Sequence, residues 1–101
     1  MMKTAPCAIL VMGDQKATDL DEYLYCDCSA AIQNILIEAR HQGLSTCWCA
    51  VGPRKERIDN FRNYYKLKED LLPVAVIAVG YGCEDKEIAD RFDPDKISYF
   101  D

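Results

Sequence analysis

The sequence lacks long apolar runs, has one histidine and carries little positive charge, and each shortage excludes a class of protein. No apolar stretch approaches the roughly 20 residues that a membrane-spanning helix needs. Lys3 precedes only a short apolar stretch that resembles a strand, so we expect no signal peptide. The net charge of −5 argues against nucleic acid or an anionic membrane surface as a partner. His41 is the only histidine, and no carboxylate or nucleophile pairs with it as a general base would require. Because we expect neither a membrane-spanning helix nor a signal peptide, we expect a cytoplasmic protein.

Hydrophobic residues and cysteines are plentiful by contrast. Half of the 101 residues are hydrophobic, which is enough for one core. With no repeat, low-complexity tract or linker, residues 1–101 are expected to form one domain. Six cysteines in a chain without an export signal favour reduced thiols over disulfides. They are Cys7, Cys26, Cys28, Cys47, Cys49 and Cys83.

The first half of the chain predicts a strand and a long helix. Residues 7–12 form a continuous apolar run, which is typical of a strand buried on both faces. Residues 15–24 are polar and acidic, and we expect a surface loop with one helical turn at most. Asp27 or Ser29 can cap a helix whose core face carries Ile32, Ile35, Leu36 and Ala39. Gly43 is placed to end that helix as a left-handed residue.

The second half predicts a strand, a helix, a strand and a tail. Residues 44–51 form the second strand, and Pro53 is expected to be the first residue of the next helix. That helix buries a face that contains Ile58, Phe61, Tyr64 and Tyr65. Residues 74–79 are apolar throughout and form the third strand. Residues 83–101 are charged and are expected to form an extended tail.

Three phrases in this order resemble the nitroreductase family. They are Asp27-Cys-Ser-Ala-Ala-Ile-Gln-Asn-Ile-Leu-Ile-Glu-Ala-Arg40, Gly43-Leu-Ser-Thr-Cys-Trp-Cys49 and Leu72-Pro-Val-Ala-Val-Ile-Ala-Val-Gly-Tyr-Gly82. They resemble the central helix, the strand after it and the last core strand of that family. The resemblance covers about residues 5–95 and implies a partial nitroreductase-like α+β fold with three core strands, the long helix and a second helix.

The resemblance also implies a function. Family members are FMN-dependent oxidoreductases that use NAD(P)H, form homodimers and reduce nitro compounds, quinones or similar small-molecule acceptors. The cofactor does the chemistry, so no catalytic side chain and no metal ligand is assigned here. Trp48, Cys49 and Ala50 match the stretch that passes the flavin ring, where family members often have glycine at the position of Ala50. Arg91 matches the residue that pairs with the FMN phosphate, for which a guanidinium is well suited.

The start of the chain departs from the family pattern. The family usually begins with an Arg-Arg-Ser-Ile-Arg-like motif and a helical region that supply most phosphate contacts. Residues 1–26 offer no two closely spaced arginines. We therefore expect a single domain that lacks the usual N-terminal half, an incomplete FMN site and doubtful turnover by this chain alone. The uncovered apolar surface of the long helix then predicts self-association.

The sequence leaves two other functions open. The chain could be a non-enzymatic homodimeric remnant of the fold that has lost flavin. It could also be a cysteine-based metal or redox protein, since Cys26 and Cys28, like Cys47 and Cys49, are separated by one residue. Metal-binding pairs are usually spaced C-x2-C or wider. In a strand, Cys47 and Cys49 need be no more than small core residues, and Trp48 can equally be a core residue.

Overall fold

A computed structural model describes residues 3–101. Its elements follow the predicted order of strand, long helix, strand, helix and strand, and a tail completes the chain. They are β1 Cys7–Asp14, α1 Asp21–His41, β2 Ser45–Ala50, α2 Lys55–Tyr65 and β3 Leu71–Gly80, followed by a 3-10 turn at Pro94–Lys96. The fold is α+β, as predicted, with two helices and a three-stranded sheet.

The last strand of the chain lies in the middle of the sheet. The strand order is β1-β3-β2, and β3 is antiparallel to both neighbours. Seven consecutive residues of β3, from Leu72 to Ala78, are buried: β1 and β2 flank the strand, and α1 packs on one of its faces. The continuous apolar run predicted for this strand therefore reflects its central position.

A β-bulge interrupts the pairing of β1 with β3. Val11 pairs with Ala75 and Met12 with Pro73, so Val74 is an extra residue with no partner in β1. Pro73 has no N–H group, and proline within a sheet is normally confined to edges or bulges. The bulge explains how a proline is accommodated in the central strand.

Helix α1 crosses one face of the sheet and forms the core with it. Buried Cys28 and Ile32 of the helix pack with Val74, Ala75 and Ile77 of β3. Ile32 is completely buried, as predicted, whereas Ile35 and Leu36 are only partly buried. Ala31 and Ile37 lie on the exposed side.

The predicted start of α1 is wrong. The helix begins at Asp21, within the segment predicted to be a loop, and neither Asp27 nor Ser29 caps it. Leu20 is the N-cap residue and provides no side-chain hydrogen bond, whereas Asp21 and Glu22 place negative charge at the positive end of the helix dipole.

The predicted end of α1 is confirmed. Gly43 has a φ of 78°, which is the left-handed region. Its N–H donates to the Arg40 carbonyl at 3.0 Å, and the Leu44 N–H donates to the Ala39 carbonyl at 2.8 Å. This pair of bonds is the Schellman arrangement that favours glycine at this position.

Two further features differ from the prediction: the start of α2 and the burial of β1. Pro53 is not the first residue of α2: it follows a cis peptide bond after Gly52, and the helix starts at Lys55. Strand β1 is not buried on both faces, because Cys7, Ala8 and Ile9 are exposed at the edge of the sheet. The apolar run of β1 thus signalled a strand but not its burial.

Residues 81–101 form an exposed tail whose first part lies beside the start of β2. Apart from the 3-10 turn, they contain no helix or strand. The radius of gyration is 16.5 Å, against the roughly 13 Å of a compact chain of this length. Neither helix in the described part of the chain is long and apolar enough to cross a membrane.

Candidate functional site

Strand β2, which carries three of the four predicted site residues, has an open edge. It pairs with β3 on one side, and no described strand pairs with its other side. Its C-terminal end is firmly attached, since the N–H groups of Val51 and Gly52 both donate to the Val74 carbonyl, at 3.0 and 3.1 Å. The chain around Ala50 is therefore held in a defined orientation.

The hydrogen-bond pattern shows where the backbone of Trp48 and Ala50 points. In an antiparallel pair, alternate residues direct both backbone polar groups at the partner strand, and those between direct them away. Val51 bonds to Val74 of β3, so the alternation directs Cys49 towards β3 as well. The N–H groups of Trp48 and Ala50 consequently face the open edge of β2.

The side chains of the three residues lie on two faces. Trp48 and Ala50 are opposite Ile77 and Ala75, on the face that α1 covers, and Trp48 remains 38% exposed. Cys49 is opposite Val76 on the other face and is partly buried. The three residues therefore share the strand edge through their backbone rather than one surface through their side chains.

Arg57 is a further candidate site residue, which the sequence did not predict. Its NH1 donates to the Ala50 carbonyl at 2.9 Å, which places a guanidinium at the open edge beside the candidate flavin-ring segment. The only sequence signal was its position in the first turns of the helix after β2. A spacing of seven residues across a turn does not by itself predict this contact.

Arg91, the fourth predicted residue, lies apart in the tail. It is exposed, and its side chain forms no hydrogen bond or ion pair with any residue in the described part of the chain. The structure does not join it to Trp48, Cys49 or Ala50 by such a bond. Its assignment to the FMN phosphate stays a prediction.

A cavity of about 490 Å³ lies at the opposite end of β2. Residues 4–6, the first residues of β2, the end of β3 and the first part of the tail line it, among them Cys47, Cys83 and Lys86. Trp48, Ala50 and Arg91 do not line it. The candidate flavin edge and this cavity are therefore separate features of the same strand.

The cysteines form no disulfide. All six are free thiols; Cys28 is buried, Cys47 and Cys49 are partly buried, and the other three are exposed. Burial, and to a lesser extent the charge of Asp27, raise the pKa of the Cys28 thiol. Among residues 3–101 no three His, Cys, Asp or Glu side chains come together as metal ligands.

Comparison with known proteins places the fold. The profile of the nitroreductase family matches residues 1–81. The chain belongs to the nitroreductase family. A relative from Methanothermobacter thermautotrophicus, named "Putative NADH dehydrogenase/NAD(P)H nitroreductase", is 38% identical over 97 residues, which is 96% of this chain and 51% of the relative. The chain thus spans about half the length of the curated relatives it matches.

Solved nitroreductase structures superpose on the chain. A protein of the same name from Bacteroides thetaiotaomicron is 40% identical, with a TM-score of 0.86 over 94% of this chain and 55% of that one. An "FMN-dependent Nitroreductase" from Clostridium difficile is 26% identical, with a TM-score of 0.85 over 96% of this chain and 58% of that one. The predicted family and partial nitroreductase-like fold are therefore confirmed.

Proposed function

We propose that this nitroreductase-family chain holds FMN at the open edge of β2 and takes part in NAD(P)H-dependent reduction of a small acceptor such as a nitro compound or quinone. The observation that carries the proposal is the outward N–H of Ala50 on an edge strand. Family membership and the FMN-dependent relative support the choice of cofactor. The relatives' names support NAD(P)H as the electron donor.

The residues at this edge suit the flavin ring. A ring that lies along the open edge of β2 can accept a hydrogen bond from an outward backbone N–H, as other extended ligands do at sheet edges. The small Ala50 side chain limits steric conflict at close approach. The Arg57 guanidinium, held by the Ala50 carbonyl, adds positive charge that would stabilise an electron-rich ring.

FMN, when bound, supplies the hydride and electron transfer, and the protein contributes binding, orientation and electrostatics. Arg91 is suited to the phosphate because its guanidinium fork can make two parallel bonds to phosphate oxygens. Its unpaired state in the described chain leaves those donors free. The extended tail would have to carry it to the phosphate.

We further propose that the chain acts as a homodimer. Its accessible surface is 8438 Å², whereas a folded monomer of this mass exposes about 5,800 Å². The excess of roughly 2,600 Å² lies in the range that large obligate interfaces bury. Ile37 on α1 and Ile88, Phe92 and Phe100 of the tail are among the exposed apolar residues. A second copy would cover part of this surface.

Titration of the purified full chain with FMN tests the cofactor assignment, with flavin fluorescence quenching as the readout. Ala50→Pro removes the outward N–H without removing a ladder bond, so FMN affinity should fall about tenfold, the value of one good hydrogen bond. Ala50→Gly keeps the N–H and is the matched control. Equal FMN affinity of the proline and glycine variants would show that FMN does not bind through the N–H of residue 50 at the open edge of β2.

The phosphate assignment is tested in the same titration. Arg91→Ala should weaken FMN binding at least tenfold, because a charged hydrogen bond contributes about 1.5–3 kcal/mol. Lys96→Ala, another exposed cation in the tail, should leave the affinity unchanged. A chain that binds no FMN under any condition would favour the alternative of a homodimeric remnant of the fold without flavin.

Light scattering after size-exclusion chromatography tests the dimer. Ile37 is 60% exposed on α1, so Ile37→Asp should give a folded monomer, whereas Ile37→Leu should stay dimeric. Ile32 is unsuitable for this test because it is completely buried within the chain. A monomeric wild-type chain would contradict the proposal.

A further inference from the structure

Cys47 and Cys49 form a pair of thiols on one face of β2. They are opposite Ala78 and Val76 of β3, on the face that points away from α1. Both are partly buried. Their shared face follows from the two-residue period of a strand, and no part of the proposed flavin function uses it.

The Cys49 side chain turns back along the strand towards the backbone of Cys47. The Cys49 Sγ lies 3.9 Å from the Cys47 carbonyl oxygen, to which the thiol donates. Burial raises the pKa of the Cys49 thiol, and the adjacent Cys47 thiol raises it further. The two sulfurs lie on the same side of the strand.

Strand geometry opposes a disulfide between these two residues. Residues i and i+2 of an antiparallel strand lie about 6.8 Å apart, which follows from a rise of about 3.4 Å per residue. A disulfide needs Cβ atoms within about 3.5–4.5 Å of each other. Side chains that project in parallel from positions 47 and 49 cannot meet this limit while β2 stays paired, but an atom placed between the sulfurs can bridge them.

We propose that Cys47 and Cys49 bind a single soft monovalent metal ion, Cu(I), between their sulfurs. Thiolates select soft metals, among which Cu(I) is prominent. Zinc and iron–sulfur sites require more protein ligands, and residues 3–101 assemble no group of three. The pair therefore suits a cation that needs only two sulfur ligands.

The binding step is a proton exchange. Both thiols lose their protons to solvent, two S–Cu bonds form and the metal keeps its +1 oxidation state, so no electron is transferred. Cys47 also lines the cavity of about 490 Å³ at the start of β2, which provides a route for the ion to the sulfurs. The site lies on the face of β2 away from Trp48 and Ala50.

The proposal is tested with the full, reduced chain under anaerobic conditions, with Cu(I) as the probe. Competition with a chromophoric Cu(I) chelator and native mass spectrometry should give one tightly bound ion per chain. Cys47→Ser and Cys49→Ser should each weaken Cu(I) binding at least tenfold, whereas Cys26→Ser, at an exposed thiol on α1, should leave it unchanged.

Circular dichroism of the same variants separates loss of the site from loss of the fold. If a serine variant unfolds, Cys47→Ala and Cys49→Ala replace it, since alanine suits a partly buried strand position. X-ray absorption should report two sulfur neighbours around copper. Retained affinity in a folded Cys47/Cys49 double variant, or copper that follows Cys7, Cys26 or Cys83 instead, would overturn the proposal.

Discussion

The ring of Tyr25 occupies the space where a side chain at residue 52 would lie. A Cβ at Gly52 would be 2.5 Å from the Tyr25 hydroxyl oxygen and 2.6 Å from its Cε1 atom. Tyr25 belongs to α1, and Gly52 immediately precedes the turn into α2. The contact therefore fixes the end of β2, and with it the candidate flavin edge, against the long helix.

Gly52→Ala should displace the Tyr25 ring and destabilise the protein. Overpacking of this kind costs about 1–3 kcal/mol, which urea unfolding would measure as a lower midpoint. Combining it with Tyr25→Ala removes the conflict, so the double variant should lose less stability than the two single losses together. Strict additivity would show that the two residues are not coupled.

Arg62 connects three separate segments through its guanidinium. Its Nε and NH2 donate to the Leu71 carbonyl at 3.3 and 3.1 Å, and NH2 also donates to the Gln15 side chain at 3.3 Å. Lysine cannot reproduce this fork. Arg62→Lys should cost about 1.5–3 kcal/mol, the value of bonds from a charged donor. Arg54→Lys, at an exposed position immediately before the same helix, should change the unfolding midpoint little.

Cys28 should resist alkylation in the folded protein. It is buried, and its raised pKa keeps the thiolate, which is the reactive form, scarce. Exposed Cys26 on the same helix is the internal reference. Mass spectrometry after brief iodoacetamide treatment should find Cys26 modified and Cys28 intact, and urea should make both reactive. Equal alkylation rates of Cys26 and Cys28 in the folded protein would mean that α1 does not pack as described.

The Lys16–Asp70 ion pair, at 2.7 Å, gives a stability contribution that depends on pH. Its hydrogen bond, assisted by charge attraction, lowers the pKa of Asp70 from 3.8 and raises the pKa of Lys16 from 10.5. The Asp70 contribution is therefore present above pH 3.8 and is lost as pH falls through its lowered pKa. The Lys16 contribution is present below pH 10.5 and is lost as pH rises through its raised pKa.

Lys16→Gln should therefore lower Tm slightly at neutral pH, and this Tm difference should shrink as the pH falls through the lowered pKa of Asp70. The effect is small because exposed ion pairs are screened by solvent. Lys3→Gln is a control at another exposed lysine. A Tm difference that persists unchanged in acid would exclude the ion pair as its cause.

The sequence predicted those parts of the fold that depend on local chemistry. Gly43 ended α1 as expected because only a residue without a Cβ adopts a left-handed φ without strain. The buried position of Ile32 followed from helical spacing. The start of α1 was missed although buried Leu24 and Cys28 continue that spacing upstream. Without an N-cap side chain, no local signal marked Asp21.

The candidate site was less predictable because it depends on which strand edge stays open. Nothing local to β3 shows that it enters between β1 and β2, so the burial of β1 was overestimated. The direction of the Ala50 N–H depends on the register with β3, and the Arg57 contact depends on how α2 docks. Arg91 lies in a segment that the chain by itself does not pack.

The proline at the bulge also makes the two strand pairings of the sheet unequal in stability. By the alternation of the ladder, the N–H that residue 73 lacks is one that would point to β1, so the end of β1 at Met12–Asp14 is held by fewer donors than its beginning. Local opening would begin there and spread towards Gln15, while the β2–β3 ladder stays closed. The Cys49 amide hydrogen, which the ladder directs towards β3, would then remain protected through fluctuations that already release the far edge of the sheet.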